Sequence, residues 1–293
     1  MKYFIFSISL FLAILFSAVS IVWFSVTRAD FKIPTEKTKL VLGASGVECA
    51  LNDSLIHSIF NLSESGDNYL CSFVKLKKIK SENPHINTLI LGFSSLSLSS
   101  RLDKWYDIDY GDKIGTLGFV DFRELSSFYG VFGVIEKLLS PRGFRTALNY
   151  LIKDAVIQYQ IGGYLFLVRD KLEESLLRRK SGSPSSWKFS TLQIKYLQKI
   201  IEYCHTNGIQ VILFNAPVYI NSESSRSRQL EYVRKIKGIS FWDYSDFRLP
   251  DSCYGDIRHL NYRGARIFSE YIDGVIDSVC AASDQFGPFD LNK

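Results

Sequence analysis

Five short apolar runs, each followed by turn residues, restrict the fold of this chain more than any other feature. The runs occupy residues 39–43, 60–63, 88–92, 209–214 and 239–243. A short continuous apolar run between turn signals is typical of a strand that is buried on both faces. Strands that alternate with helices form parallel sheets covered by helices. The chain is therefore predicted to be an α/β protein, a flavodoxin-like doubly wound parallel sheet of about five strands with helices on both faces.

The segments between the runs carry helical patterns. These patterns occupy residues 48–59, 69–80, 190–208, 231–237 and 262–280. Ser190 and Gln193 form a capping box at the start of one helix, and Gly208 closes it. Residues 95–188 lack the alternation of strand and helix and predict an insertion of mostly helical segments.

Residues 1–28 predict a membrane anchor or a signal segment. No charged residue lies between positions 3 and 27, and about 22 residues of helix cover about 33 Å, enough for a hydrocarbon core of about 30 Å. The alternative is a cleaved signal peptide with a weak small-x-small site at residues 18–20, but the length favours the anchor.

Residues 29–38 form a polar linker to a single domain at residues 39–293. The basic residues after the apolar span do not support export by the positive-inside rule. A short leading flank before one large domain is nevertheless typical of exported anchored proteins. We therefore expect a membrane-anchored protein whose soluble domain lies on the extracytoplasmic side.

Charge and residue usage exclude several function classes. The net charge is +5, from 35 basic and 30 acidic residues, and no basic stripe indicates nucleic-acid binding. The five cysteines are widely spaced and form no CxxC pair, which excludes a zinc ribbon and a thioredoxin-type site. With only four histidines, a His-rich metal site is not expected either. No cofactor is predicted.

Two turns at the expected functional edge of the sheet carry chemically reactive side chains, because such sheets place their sites beyond the carboxyl ends of the strands. Ser45 follows the first strand at a helix start, where free N–H groups and the helix dipole favour developing negative charge. Asp256 precedes His259 by three residues, so its carboxylate can fix one ring nitrogen while the other acts as a base. The structural alternatives are a serine N-cap and a surface Asp–His pair.

The block Asp256-x-x-His259-Leu260-Asn261-x-x-Gly264-Ala265 resembles the C-terminal catalytic block of SGNH/GDSL-type serine esterases and acyltransferases. Three further features add to the resemblance: the Gly-x-Ser45 turn, the segment Asn61-Leu62-Ser63-x-x-Gly66 in the position of the second block, and the order of the five strands. It covers about residues 39–94 and 189–280. The layout is similar to that of anchored members that modify cell-surface polysaccharides, such as the alginate and teichoic-acid acylation proteins.

The resemblance implies a role for each matching residue. Ser45 would be the nucleophile, His259 the general base and Asp256 the residue that orients it, with no cofactor or metal. The backbone N–H groups of Ser45 and Gly66 would form the oxyanion hole.

The sequence departs from the family at two positions. Ala44 stands where the family usually has Asp before the serine. The third block, usually Gly-x-Asn-Asp, reads Gly92-Phe93-Ser94-Ser95, so the Asn that donates to the oxyanion is missing. Ser94 is the candidate replacement donor, through its hydroxyl.

The predicted function is that of a serine esterase or O-acyltransferase that acts on acylated cell-envelope or extracellular glycans, or on another ester, through an acyl-enzyme. The alternative is a catalytically inactive member of the same fold that serves as a membrane-anchored glycan-binding or assembly factor. A thiol enzyme that uses Cys49 or Cys253 is less favoured, because Cys49 is expected to be buried packing. Membrane and ester substrate are the predicted partners.

Overall fold

The structure is a computed structural model, and its described residues are 2–27, 31–94, 96–106, 117, 120–141, 143, 145, 161–180, 188–220, 223–236 and 238–285. Parts of the predicted anchor, linker and insertion, including Ser95, lie outside these residues. The chain divides into two compact units. One contains Met1–Phe31 and Asp107–Gln160, and the other contains Lys32–Tyr106 and Ile161–Lys293.

All five predicted strands are present in one parallel sheet. They are β1 (Lys39–Leu42), β2 (Ile59–Asn61), β3 (Thr88–Gly92), β4 (Gln210–Asn215) and β5 (Ser240–Asp243). Their order across the sheet is β2-β1-β3-β4-β5, and every pairing is parallel. This is the strand order of flavodoxin-like sheets, and the α/β prediction is confirmed.

The helices of the described residues lie before, between and after the strands along the chain. In order they are α1 (Lys2–Thr27), α2 (Ser45–Ala50), α3 (Tyr69–Glu82), α4 (Phe122–Tyr129), α5 (Val131–Leu138), α6 (Leu172–Lys180), α7 (Thr191–Thr206), α8 (Glu223–Val233) and α9 (Tyr262–Gln285). Two 3-10 helices cover Ser100–Tyr106 and Asp251–Cys253. Within the sheet unit, α2 packs against α9, and α3 packs against α7.

Both faces of the sheet are buried, as continuous apolar strands require. Residues paired across the strands share a face, because side chains alternate along each strand. One face contributes Val41, Ile90 and Ile212 to a core that also contains Val47 of α2 and Phe268 of α9. The other face contributes Leu42, Leu91 and Leu213, none of which is exposed to solvent. Helices therefore cover the sheet on two sides.

The predicted N-cap of α7 is confirmed. The Ser190 hydroxyl accepts the Gln193 N–H at 3.0 Å, and Gly208 follows the helix with a φ of 63°. The capping box is only half formed, because the Gln193 side chain accepts the Tyr69 N–H at 3.1 Å instead. Gln193 thus connects α7 to the start of α3.

Two predicted helix boundaries are wrong. The helix expected over residues 48–59 ends at Ala50, because the Asn52 side chain accepts the Ser54 N–H and turns the chain. The helix expected over residues 231–237 is the end of α8, which begins at Glu223 and stops at Val233.

The smaller unit contains α1, α4 and α5. Asp121 caps α4 by accepting the Glu124 N–H at 3.0 Å, and Gly130, with a φ of 77°, separates α4 from α5. Within the described part of the chain, no helix combines the length and apolarity needed to cross a membrane. The anchor over residues 1–28 stays a prediction.

Gly264 permits a close approach between α9 and the segment before it. A Cβ at this position would collide with the carbonyl oxygen of Cys253. The adjoining Ala265 is fully buried. Gly264 and Ala265 therefore allow this close packing.

We expect Gly264→Ala to lower the free energy of unfolding by about 1–3 kcal/mol, because backbone atoms must move to accept the methyl group. Gly274→Ala is the matched control on the same helix, since nothing lies within 4 Å of a Cβ there. That change should leave stability unchanged or raise it by up to about 1 kcal/mol. Urea unfolding followed by circular dichroism measures both, and equal effects would contradict the collision.

Candidate active site

Ser45 lies at the first position of α2, directly after β1. Its neighbour Ala44 is the N-cap and makes no side-chain capping bond, so the structural alternative in which Ser45 is the N-cap is wrong. The turn needs Gly43, which has a φ of 143° and whose added Cβ would lie 2.9 Å from Val47 and 3.0 Å from the Gly92 backbone. The close approach of Gly43 to Gly92 and α2 places Ser45 at the carboxyl end of the sheet.

The Ser45 hydroxyl meets the imidazole of His259. Ser45 Oγ lies 2.8 Å from His259 Nε2, although the two residues are 214 positions apart. On the other side of the ring, His259 Nδ1 lies 2.9 Å from both carboxylate oxygens of Asp256. The three side chains form the nucleophile–base–carboxylate arrangement that activates a serine.

The loop that carries Asp256 and His259 is closed by its own hydrogen bonds. Asp256 Oδ1 accepts the N–H groups of Arg258 at 2.8 Å and of His259 at 3.1 Å. The Gly255 N–H donates to the carbonyl of His259 at 2.9 Å. The carboxylate is thereby fixed to the backbone of the residue that it orients.

Asn261 links this loop to α9. Its side chain donates to the Ser252 carbonyl at 2.8 Å and accepts the N–H groups of Arg263 and Gly264. Asn261 thus caps the first turn of α9. His259 therefore precedes a well-capped helix, which limits its movement.

Asp256 is ionised in this setting. Burial is the largest single influence and would raise the pKa of its carboxyl, but the hydrogen bond and charge of His259 oppose that effect. The Arg258 N–H and the Arg169 guanidinium lower the pKa further, to about 2. A permanent negative charge beside Nδ1 stabilises the imidazolium that forms when His259 accepts a proton.

Arg169 is the functional residue that sequence reasoning missed. Its Nη2 lies 2.5 Å from Asp256 Oδ2 and 3.5 Å from His259 Nδ1. It falls inside the region interpreted as an insertion, 87 positions before Asp256, and no motif surrounds it. Only the three-dimensional contact identifies it.

The turn that carries Gly66 is placed by a buried carboxylate. Gly66 has a φ of 79°, and the turn closes with the Asp67 N–H donating to the Glu64 carbonyl at 2.9 Å. The Ser65 hydroxyl donates to the carboxylate of Glu48 on α2. Glu48 therefore connects the Gly66 turn to α2, the helix that begins at Ser45.

Lys75 fastens the same turn from α3. It is fully buried, and its ammonium donates to Asp67 Oδ2 at 2.6 Å and to the Leu62 carbonyl at 3.1 Å. Glu64 Oε2 lies at 3.4 Å. Because a buried charge is costly without partners, these contacts strongly favour one conformation of the turn.

Two backbone donors at the site lack internal partners. Among the described residues, neither the Ser45 N–H nor the Gly66 N–H donates a hydrogen bond. They are the two donors that the family resemblance assigns to the oxyanion hole.

Ser94, the third predicted donor, has internal partners. Its N–H donates to Ser97 Oγ at 2.9 Å, its Oγ lies 3.2 Å from the same oxygen, and its Oγ accepts the Leu96 N–H at 3.3 Å. No hydrogen bond of the described residues joins Ser94 to Ser45 or His259. Its donor role stays a prediction.

Two buried amides near the site have structural roles. Asn61 donates to the Leu51 carbonyl at 2.8 Å and accepts the Ser63 N–H at 2.9 Å, which ties β2 to the end of α2. Asn68 caps α3 by accepting the Cys71 N–H at 3.0 Å. Both amides are therefore used to hold the turns rather than to bind an oxyanion.

The buried thiols do not favour a thiol enzyme. Burial, followed by the charge of Glu48, raises the pKa of Cys49 to about 12, so the reactive thiolate is scarce at neutral pH. Cys253 is also buried. Within the described residues, no group of His, Cys, Asp and Glu side chains could hold a metal ion.

Comparison with known proteins adds little to this geometry. A protein-family model that carries no functional description matches residues 173–280. The matched segment contains the Asp256–His259 loop but not Ser45. No curated protein matches the chain.

The depressed pKa of Asp256 predicts a pH dependence of stability. The unfolded chain binds a proton at the ordinary pKa, near 4, before the folded chain does at about 2. Stability contributed by this carboxylate is therefore fully present above about pH 5 and is lost as the pH falls towards 2, to a total of up to about 2 kcal/mol.

Asp256→Asn should remove that part of the acid sensitivity, because the amide does not titrate. Urea unfolding at pH 5 and pH 3 compares the variant with the native chain. Ser45→Ala is the control, since it breaks a triad hydrogen bond but keeps the carboxylate. An Asp256→Asn variant as acid-sensitive as Ser45→Ala would contradict the assignment.

Proposed function

We propose that the protein is a serine esterase or O-acyltransferase of the SGNH type that works through an acyl-enzyme on Ser45. The observation that carries the proposal is the 2.8 Å contact between Ser45 Oγ and His259 Nε2. That distance is within reach for direct proton transfer. Asp256 holds the opposite nitrogen, so Nε2 is available as a base.

The first half of the reaction transfers the acyl group to the enzyme. Ser45 Oγ attacks the ester carbonyl while His259 Nε2 takes the hydroxyl proton. The carbonyl oxygen becomes an oxyanion, which the N–H groups of Ser45 and Gly66 would stabilise. The C–O bond to the leaving alcohol then breaks, and His259 returns the proton to that alcohol.

The second half releases the acyl group. Water or a sugar hydroxyl gives its proton to His259 and attacks the acyl-enzyme carbonyl. The bond to Ser45 Oγ breaks, and the proton returns to the serine. Hydrolase and transferase differ only in which acceptor reaches the acyl-enzyme.

We propose acylated glycans of the cell envelope or extracellular space as substrates. The support comes from the resemblance of the Asp256–His259 block and the anchored layout to polysaccharide-modifying members of that family. An N-terminal membrane anchor would keep the catalytic domain near such glycans.

The turn after β3, which carries Ser94, favours a second candidate function. Ser94 is hydrogen-bonded to Ser97, and the Asn expected at this turn is missing. A protein that retained the fold but lost the oxyanion donor would bind an acylated glycan without cleaving it. The fluorophosphonate experiment separates the two functions.

A fluorophosphonate probe should label Ser45 in the folded native chain. Ser45→Ala and His259→Ala should give no adduct, and Asp256→Asn should slow labelling by about 10⁴-fold. Ser54→Ala is a control, because Ser54 lies on the exposed turn after α2. Peptide mapping by mass spectrometry locates the adduct. If folded protein forms no adduct at Ser45, the glycan-binding function is favoured over the enzyme.

The proposed location is a membrane, with the sheet unit on the extracytoplasmic side. The support is the uncharged sequence between positions 3 and 27 and the exposed aromatic side chains of α1, among them Tyr3, Phe4 and Phe16. The full chain should stay with membranes in alkaline carbonate, and a chain that starts at residue 29 should not. Release of the full chain by carbonate would contradict the anchor.

A further inference from the structure

We propose that residues 161–171 form a strap across the turns that carry the site, and that Arg169 on this strap is a positioning residue that sets the orientation of Asp256 and the basicity of His259. The inference rests on the proposed function, because it assigns a role within the same triad. It adds a residue that no catalytic motif of the sequence includes.

Four backbone hydrogen bonds join the strap to the turns of the site. Near its start, the Gly163 N–H donates to the Ser63 carbonyl at 2.9 Å, and the Leu165 N–H donates to the Glu48 carbonyl at 3.0 Å. These bonds fasten the strap to the Gly66 turn and to α2.

The second half of the strap binds the histidine loop. The Leu167 carbonyl accepts the Tyr262 N–H at 2.9 Å, and the Lys171 N–H donates to the Gly255 carbonyl at 2.9 Å. Arg169 lies between these two bonds and reaches Asp256 with its side chain. Every second residue from Gly163 to Lys171 therefore contacts one of the segments that build the site.

Side-chain packing fixes the register of the strap. Gly162 has a φ of 136°, and a Cβ there would collide with the Leu62 carbonyl oxygen. Phe166 stacks on Tyr262, with ring centroids 4.7 Å apart. Position 162 accepts only a residue without a Cβ, and a shift of the strap by one residue would separate Phe166 from Tyr262, so Arg169 is held at a fixed place.

The charge of Arg169 acts on both partners in the triad. Its guanidinium pairs with Asp256 Oδ2 at 2.5 Å, and its Nη2 lies 3.5 Å from His259 Nδ1. The positive charge stabilises the ionised carboxylate. It also opposes the positive charge that His259 acquires when it takes the Ser45 proton.

Other charged and titratable groups belong to the segments that build the site. The helix α2 contributes Glu48 and the Cys49 thiol, which interacts electrostatically with both Arg169 and Asp256. The loop contributes Asp256 and the exposed Arg258. The entrance of α9 contributes Arg263, whose guanidinium lies over the Tyr262 ring and which Asp170 of the strap also faces.

Of these groups, only Arg169 places a positive charge in hydrogen-bond range of Asp256. Its removal would leave the carboxylate charge unopposed beside the ring. The pH dependence of the reaction at Ser45 should then move to higher pH.

The experiment measures the rate of fluorophosphonate labelling of the full chain as a function of pH. The rate rises as His259 loses its proton, so the midpoint reports the basicity of that residue in the free enzyme. Arg169→Gln should raise the midpoint by about one pH unit and lower the plateau rate several-fold, because Asp256 is less well held. Arg169→Lys keeps the charge, so its midpoint should equal that of the native chain, while its plateau rate should stay below the native value.

Lys171→Gln is the matched control. It removes one positive charge two residues further along the strap, where the ammonium pairs with Glu174 at 3.7 Å rather than with the triad. Its midpoint should equal that of the native chain. Arg169→Met provides a second uncharged variant, and circular dichroism selects the one that folds.

The labelling profiles distinguish failure of the role assigned to Arg169 from failure of the proposed function. An unchanged midpoint in a folded uncharged variant shows a merely structural Arg169 and overturns the inference, while the proposed function stands. An equal shift in Lys171→Gln shows a general effect of surface charge and overturns it as well. A native chain that is folded but unlabelled at every pH overturns the proposed function together with the inference.

Discussion

The functional interpretation of this structure depends on the hydrogen bond between Ser45 and His259. It joins the turn after the first strand to the loop before the last helix, which are 214 positions apart. No local structure could bring these side chains together. The parallel sheet does so, because all five strands point the same way and the turns beyond their carboxyl ends share one edge. The register of the sheet thus sets the distance between the Ser45 hydroxyl and the His259 imidazole.

The turns that carry Ser45 and Gly66 are held by contacts separate from those among Ser45, His259 and Asp256. The serine turn relies on Gly43 and Gly92, which let the first and third strands approach closely. The Gly66 turn relies on the fully buried Lys75 and its carboxylate partners. The burial of an ammonium and a carboxylate contributes little net stability, so its value lies in the single turn conformation that it favours. Rigid supports of this kind pre-organise a site before substrate arrives.

The sequence predicts the strands better than the site. Each strand is a continuous apolar run because both of its faces are buried, and that pattern is visible without coordinates. The helix ends are harder to predict: α2 stops at Ala50 because an Asn52 turn competes with helical propensity. Residue types in turns point to Ser45, and the three-residue spacing of Asp256 and His259 points to a paired carboxylate and imidazole; the structure brings all three side chains together. Arg169 and Lys75 were not found, because each acts through a tertiary contact that leaves no local pattern.

The three predicted oxyanion donors differ in whether they already have hydrogen-bond partners. The Ser45 and Gly66 N–H groups have no acceptor among the described residues, and each oxyanion donor contributes roughly 10²–10³-fold to the rate. The Ser94 hydroxyl is already bonded to its neighbours in the third turn. Recruiting it would require those bonds to break as negative charge develops, so its net contribution would be smaller than that of a pre-organised amide. A site with two backbone donors and an intact triad would therefore still form an acyl-enzyme, but more slowly than one with three.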